Sequence, residues 1–143
     1  MIGAALANQL APHGFSIALV EGQTPTDYDL SQKFDLKVCA LSPKSAQIMQ
    51  QSSAWDILQG MRLCPYKRMR VWEMDGFGDL TFNANQVGML ELGHIVENRL
   101  VQLSLWQALE SHENVAVICP ASPIRFNRHG DVTNVVLDNG QHL

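Results

Sequence analysis

The sequence of 143 residues has little of several features that mark particular classes of protein. No apolar run approaches the roughly 18 residues of a membrane-spanning helix, and the longest runs, such as Ile17–Val20 and Val115–Cys119, suit buried strands. Lys and Arg number 10 against 14 Asp and Glu, so the chain lacks the basic excess that nucleic-acid binding requires. Apolar residues make up 46% and charged residues 17%, a globular composition that excludes a disordered chain.

Cysteine is scarce, and neither cysteine nor histidine is arranged as a metal site. The three cysteines, Cys39, Cys64 and Cys119, stand at wide spacings that predict reduced thiols of an intracellular protein. The five histidines are scattered without a Cys or carboxylate at ligand spacing, so we predict no metal. The amino terminus also lacks a basic segment followed by an apolar block, so we predict a cytoplasmic protein.

The hydrophobic pattern predicts an α/β fold from the first residues. A helix is expected at Ile2–Leu10, ended by Gly14, and a strand at Phe15–Val20 with Glu21 just past its end. A helix that begins at residue 2 and leads into a buried strand is typical of a βαβ unit whose first strand is missing.

Further elements follow a polar loop at Gln23–Lys33. They begin with a strand at Lys37–Leu41, a helix capped by Ser42 and a short helix at Ala54–Gln59. A hairpin of Arg68–Glu73 with Asp79–Asn83 and a strand at His94–Val96 come next. The last elements are a helix capped by Asn98 that runs to about Ser111, a strand at Val115–Cys119, and a hairpin of Ile124–Asn127 with Val132–Leu137. The apolar stripe of the long helix is expected to be Val101, Leu105 and Leu109.

The opening helix carries the most informative motif. In a dinucleotide-binding βαβ unit, the last glycine of G-x-G-x-x-G lies in the first helical turn, where the helix packs closely on a strand. Gly3 has that position, and Glu21, 18 residues later, has that of the acid which binds the ribose hydroxyls. The alternative is that Gly3 only starts a helix and Glu21 is a solvated strand end.

Other clusters point less clearly to chemistry. The basic and aromatic stretch Cys64–Arg70 is either a solvated strand entry or a contact for phosphate or lipid headgroups. Trp72, Phe77 and Phe82 either line an apolar pocket or pack in the ordinary way. No residue stands out as a catalytic acid, base or nucleophile, so the catalytic residues are unknown.

Six segments together resemble one family. They are Gly3–Ala7, Ile17–Glu21, Lys37–Ser42, Val71–Glu73, Gly93–Asn98 and Leu105–Leu109. With them the chain resembles the flavin-dependent hydroxylases of ubiquinone biosynthesis, the 2-octaprenylphenol hydroxylase group, which share the fold of para-hydroxybenzoate-hydroxylase-like flavoprotein monooxygenases. The resemblance covers essentially the whole chain, as the N-terminal third of such an enzyme.

The resemblance implies a partial Rossmann-like FAD-binding domain with an antiparallel β hairpin inserted from a substrate domain. Residues 1–66 would form the first part of the FAD-binding domain without its first strand, residues 67–93 the excursion into the β-sheet substrate domain, and residues 94–143 a truncated continuation. Both ends are therefore expected to be cut, and the fragment alone is expected to be inactive and to bind FAD weakly or not at all.

Four cofactor-binding residues are implied by the resemblance. Gly3 corresponds to the last fingerprint glycine, and Glu21 to the acid on the adenosine ribose. Lys37 stands where the family has an Arg near the FAD, which keeps the charge but loses the planar fork. Asn98 stands where relatives place an Arg, Asn or Gln that contacts the cofactor.

The implied reaction is FAD-dependent hydroxylation of the aromatic ring of a polyprenylated phenol or benzoquinol, with NAD(P)H as a candidate electron donor. The apolar substrate suggests peripheral attachment at the cytoplasmic face of the inner membrane, and contact with other ubiquinone-biosynthesis proteins. Two alternatives stay open: another FAD or NAD oxidoreductase of the same fold, and a truncated product without catalysis.

Overall fold

Four α-helices and nine β-strands make up the computed structural model, which describes residues 1–143. The helices are α1 (Ile2–Leu10), α2 (Pro43–Gln50), α3 (Ala54–Gln59) and α4 (Asn98–Leu109). The strands are β1 (Ile17–Val20), β2 (Val38–Leu41), β3 (Leu63–Tyr66), β4 (Arg68–Trp72), β5 (Asp79–Asn83), β6 (Gly93–Glu97), β7 (Val115–Ile118), β8 (Pro123–His129) and β9 (Val132–Leu137). The mixed α/β class predicted from the sequence is confirmed.

The helix boundaries follow local chemistry at three of the four helices. Helix α1 has the predicted bounds and continues into a 3₁₀ turn that ends at Gly14, whose φ of 79° is left-handed. Helix α2 begins after Ser42, whose hydroxyl accepts a hydrogen bond from the Ser45 amide at 3.1 Å. Helix α3 also has the predicted bounds.

Helix α4 confirms the predicted stripe but corrects the predicted cap. Val101, Leu105 and Leu109 are all buried. Asn98 is the first helical residue, not the cap; the cap position falls on Glu97, which makes no side-chain cap bond. The reason is that β6 runs directly into the helix, and the Glu97 carboxylate turns toward arginine side chains instead of the helix amides.

Two small sheets carry the body of the fold. Strand β1 pairs in parallel with β7, while β2, β6 and β3 form an antiparallel sheet in that order. Strand β3 was not predicted, and its Pro65 cannot donate to a ladder. It forms because it lies at the edge of its sheet, where a proline is tolerated, and pairs with the buried central strand β6.

Two antiparallel pairs lie outside these sheets. Strands β4 and β5 pair with Trp72 opposite Asp79, and β8 pairs with β9 from Pro123 opposite Leu137. Both pairs were predicted as hairpins from the sequence, and the pairing is confirmed. That β4 and β5 come from a separate substrate domain stays a prediction.

The core is built around α4. A cluster of 13 buried residues joins this helix to α1, α2, α3 and β6, with Leu58 and Leu100 completely buried. Buried Asn8 of α1 donates hydrogen bonds to the carbonyl oxygens of Ala4 and Leu105, each at 2.9 Å, and so ties α1 to α4. The helices therefore cover one face of the three-stranded sheet.

Gly93 is a position where only glycine fits. Its φ is 153°, and a Cβ atom there would collide with the Leu41 carbonyl oxygen and lie 3.2 Å from the Tyr66 ring. Strand β6 therefore begins at a close approach of three strands that a side chain would force apart.

Two further observations bear on the sequence predictions. All three cysteines are free, and burial raises the pKa of the Cys39 thiol. None of the helices is both long enough and apolar enough to span a lipid bilayer.

Candidate functional site

The first turn of α1 approaches β1 closely at Gly3. A Cβ atom on this residue would lie 3.3 Å from Cδ1 of Leu19, which is tighter than most contacts of that kind. A larger residue would force the end of the Leu19 side chain, or the helix, to shift by a few tenths of an ångström. The structure thus gives Gly3 the close helix–strand contact that the last glycine of a dinucleotide fingerprint makes.

Glu21 follows β1 directly, at the carboxyl end of the parallel pair. Its backbone N–H donates to the carbonyl oxygen of Ile118, which continues the pairing with β7. Its carboxylate Oε1 accepts hydrogen bonds from the Gly22 amide at 2.9 Å and the Gln23 amide at 3.4 Å. Because these bonds use only Oε1, Oε2 can accept from another donor.

A polar cleft of about 220 Å³ opens beside Glu21, and we call it the Glu21 cleft. No hydrophobic residue lines it. Its lining residues are Glu21, Gln23, Thr24, Pro25, Thr26, Arg99 and Gln102. The cleft lies at the carboxyl end of a parallel strand, where ligands of open α/β sheets bind.

Arg99 and Gln102 enter the cleft from the first turns of α4, and sequence reasoning missed both. Their spacing could have indicated them, because they follow Asn98 by one and four residues and are three apart, which places both on one helix face. Arg99 donates from Nε to Oε2 of Glu97 at 3.2 Å, while its buried Nη2 has no hydrogen-bond partner. The cleft therefore has a carboxylate and a guanidinium in its lining.

Lys37 and Asn98 are neighbours through their backbones. The Asn98 N–H donates to the Lys37 carbonyl oxygen at 3.0 Å, just where β2 and β6 meet. Asn98 Oδ1 is buried without a hydrogen-bond partner, and the Lys37 side chain is exposed. Neither residue lines the Glu21 cleft, although Asn98 precedes Arg99.

The four predicted residues thus fall into two pairs and not into one site. Gly3 lies against Leu19, which precedes Glu21 by two residues, but Gly3 does not line the cleft. Lys37 and Asn98 lie together at the start of α4. The link between the pairs is the first turn of α4, which contains Asn98 and Arg99.

Two other cavities have more hydrophobic residues in their lining. One of about 360 Å³ lies against the outer face of the three-stranded sheet, beside Phe34 and Val38. The other, of about 340 Å³, contains His94, whose Nε2 is 3.1 Å from Oε1 of Glu91 and whose ring meets Trp55 edge-on at 5.2 Å. Three or more His, Cys, Asp or Glu side chains nowhere come together as a metal-binding group.

Comparison with known proteins gives the chain its relatives. The 3-demethoxyubiquinol 3-hydroxylase of Escherichia coli (strain K12) is 36% identical over 141 residues, which are 99% of this chain and 36% of that protein. Ubiquinone biosynthesis monooxygenase COQ6 of Xenopus tropicalis is 34% identical over 115 residues, 77% of this chain and 24% of that protein. The curated homologues of this chain are ubiquinone-biosynthesis hydroxylases.

A third such hydroxylase and a solved structure extend the comparison. Ubiquinone hydroxylase UbiL of Rhodospirillum rubrum is 26% identical over 142 residues, 99% of this chain and 32% of that protein. A crystal structure of a mutant of P. aeruginosa PqsL matches with a TM-score of 0.72 and 16% identity, over 99% of this chain and 37% of that chain, and shows a shared fold. No family model matches the chain.

The chain spans about a third of the length of the ubiquinone-biosynthesis hydroxylases it matches, 36% in the E. coli protein and 32% in UbiL. The resemblance predicted from the sequence is confirmed, and the names of the relatives carry the predicted hydroxylase and ubiquinone-biosynthesis terms. The roles of the four predicted residues stay predictions.

Proposed function

We propose that this chain supplies the nucleotide-binding part of an FAD-dependent hydroxylase that acts on the aromatic ring of a polyprenylated ubiquinone precursor. The observation that carries the proposal is the Glu21 cleft, a polar site with an acid and a guanidinium at the carboxyl end of parallel strand β1. The hydroxylase class of the relatives supports the reaction.

The residues present fit FAD. Glu21 Oε2 would accept from a ribose hydroxyl, and its negative charge would disfavour a phosphate there, which selects FAD or NAD over NADP. The amino end of α1 beside Gly3 carries the partial positive charge that a diphosphate prefers. When bound, FAD supplies the oxygen-transfer chemistry, and the chain's own residues bind and orient it.

Two orphaned groups at the start of α4 support the same fit. Asn98 Oδ1 and Arg99 Nη2 are buried without partners, an arrangement that costs free energy unless a ligand or water completes it. We propose that Asn98 and the Lys37 ammonium contact the cofactor, with Arg99 and Gln102 beside its sugar. The NAD(P)H that would reduce the flavin has no residue assigned to it.

We also propose a division of the chain into parts of two domains. Residues 1–66 and 94–143 would belong to the FAD-binding domain, and residues 67–93 to a substrate domain. The separate two-stranded sheet of β4 and β5, in which every residue of β4 is exposed, supports this division. An apolar prenyl substrate would bring the enzyme to a membrane surface as a peripheral protein, near other enzymes of the pathway.

A chimera tests the proposed function. This chain replaces the matching 141-residue region of the E. coli hydroxylase, which is 36% identical to it. We expect the purified chimera to carry FAD, seen as visible absorbance, and to hydroxylate 3-demethoxyubiquinol. A folded chimera without flavin would contradict the proposal, and flavin with activity only on other substrates would favour a different oxidoreductase of the same fold.

Replacing Glu21 tests the cleft itself. In the chimera, Glu21→Ala is expected to weaken FAD binding by about 1–3 kcal/mol, because the ribose hydroxyls would lose their carboxylate acceptor. Glu110→Ala is the matched control, since Glu110 is exposed at the far end of α4. Flavin-fluorescence titration measures both affinities, and equal values for the two variants would remove Glu21 from the site.

A further inference from the structure

The Glu97 carboxylate has no role in the proposed function, and it is buried at the centre of a charged cluster. Its side chain is 3% exposed. Oε2 accepts from the Asp35 amide at 2.8 Å and from Arg99 Nε at 3.2 Å, and Oε1 lies 3.1 Å from Arg62 Nε. Two guanidinium groups offset the cost of burying this carboxylate.

Arg62 extends the cluster to the irregular segment between β1 and β2. Its Nη1 donates to the Gln32 carbonyl oxygen at 2.9 Å. Its guanidinium carbon lies 4.4 Å from the centre of the Phe34 ring and 5.6 Å from that of Tyr28, both within cation–π range. Glu97, at the end of β6, and Arg62, just before β3, therefore both bind this segment.

No secondary structure holds the segment from Thr24 to Leu36. Only two of its backbone groups bond to the rest of the chain, the Asp35 N–H and the Gln32 carbonyl. Both bond to the Glu97–Arg62 pair. A loop with so few anchors opens at low free-energy cost when they are lost.

Lys37 directly follows this segment, and its carbonyl oxygen accepts from the Asn98 N–H beside Glu97. We infer that Glu97 is a positioning residue: through Arg62 and the Asp35 amide it fixes residues 28–37 against the start of α4. Lys37, Asn98 and Arg99 are thereby held in one arrangement. The consequence for the cofactor rests on the proposed function, whereas the hold on the segment does not.

Hydrogen exchange on the 143-residue chain tests the hold without any cofactor. Glu97→Gln keeps the size of the side chain but removes the charge that pairs with both arginines, and Arg62→Met removes the grip on the segment. We expect the amides of this region that donate hydrogen bonds, those of Ser31, Gln32, Asp35 and Lys37, to exchange about tenfold faster in each variant, with β1 and β7 unchanged. Glu113→Gln, at an exposed glutamate, is the matched control.

The double variant separates positioning from general stability. Glu97→Gln leaves the buried Arg62 guanidinium without its carboxylate, and Arg62→Met leaves Glu97 with only the Arg99 guanidinium, so the midpoint of urea unfolding is expected to fall in both variants. In Glu97→Gln with Arg62→Met the midpoint should recover toward the parent value, while residues 28–37 still exchange fast. Exchange that recovers together with the midpoint, or that rises equally in every element, would overturn the inference.

Flavin titration of the chimera then relates the hold to the cofactor. Glu97→Gln is expected to weaken FAD binding about tenfold, although its side chain touches no ligand. If the unmutated chimera binds no FAD, the proposed function fails and the exchange result stands alone. If it binds FAD and Glu97→Gln binds it equally well, the positioning role is wrong.

Discussion

The body around α4 and the hairpin of β4 and β5 are stabilised by different interactions. In the body, 13 buried residues from several elements pack on one another. In the hairpin every residue of β4 is exposed, and at its turn end Trp72 and Phe77 are 67% and 108% exposed. The hairpin therefore depends on its ladder and on a side-chain pair, Arg70 with Asp79.

This difference teaches where substitutions will matter. Removing apolar surface from the body leaves a cavity, and the cost depends on how far neighbours can close it. Removing apolar surface from an exposed hairpin leaves no cavity, so the change in free energy of unfolding should be small. Three predictions sharpen or break this comparison.

The largest effect is expected from a completely buried leucine of α4. Leu100→Ala should lower the free energy of unfolding by about 2–5 kcal/mol, through lost apolar contacts and a new cavity. Leu80→Ala on β5, where the side chain is 62% exposed, is the control and should change it by less than about 0.5 kcal/mol. Urea denaturation measures both, and similar losses would show that the hairpin is packed in solution.

A smaller effect is expected at Gly93, where the body begins its central strand. Gly93→Ala should cost about 2–3 kcal/mol, because the new methyl group meets the Leu41 carbonyl oxygen and the backbone is strained. Gly130→Ala shares a positive φ, 61°, but its Cβ would meet open space, so about 1 kcal/mol is expected. Thermal unfolding compares the two, and equal losses would mean that backbone strain alone decides both.

The smallest effect concerns the ion pair of the hairpin. Asp79 accepts two hydrogen bonds from Arg70, at 3.0 and 2.6 Å, and the guanidinium holds the pKa of this carboxyl below its usual value. A lowered folded pKa stabilises the hairpin above the unfolded pKa, and that contribution is lost as pH falls through the folded value. Because both groups are exposed, no measurable change in the unfolding midpoint at pH 7 is expected for Asp79→Asn.

The pKa itself can be measured by carbon NMR of the Asp79 carboxyl group during an acid titration. In Arg70→Met the midpoint of this titration is expected to rise, since the donor that favours the ionised form is gone. The parent chain is the reference. An unchanged midpoint would show that the pair does not persist in solution.

Local patterns were enough for much of the fold. The bounds of α1 and α3 and the cap at Ser42 follow from hydrophobic spacing and turn chemistry within a few residues. Strand β3 could not be predicted in this way, because its Pro65 argues against a strand and only the pairing with β6 outweighs it. The cap at Asn98 was wrong for a similar reason, since the groups around Glu97 come from distant parts of the chain.

The candidate site divides in the same manner. Gly3 and Glu21 were predicted as site residues from their spacing around one helix and one strand. Arg99 was not, because its place in the Glu21 cleft depends on how α4 meets the end of β1. Glu97 was missed because its partners Arg62 and Asp35 are 35 and 62 residues away in sequence.

The sequence by itself determined the order of helices and strands, the apolar stripe of α4 and the resemblance to flavin-dependent hydroxylases, because each depends on residues close together in the chain. Only the tertiary structure decided which strands pair outside the two hairpins, which acid is buried, and which side chains share a cleft. Those outcomes depend on contacts between segments far apart in the chain, and the free energy of such contacts appears only when the segments meet.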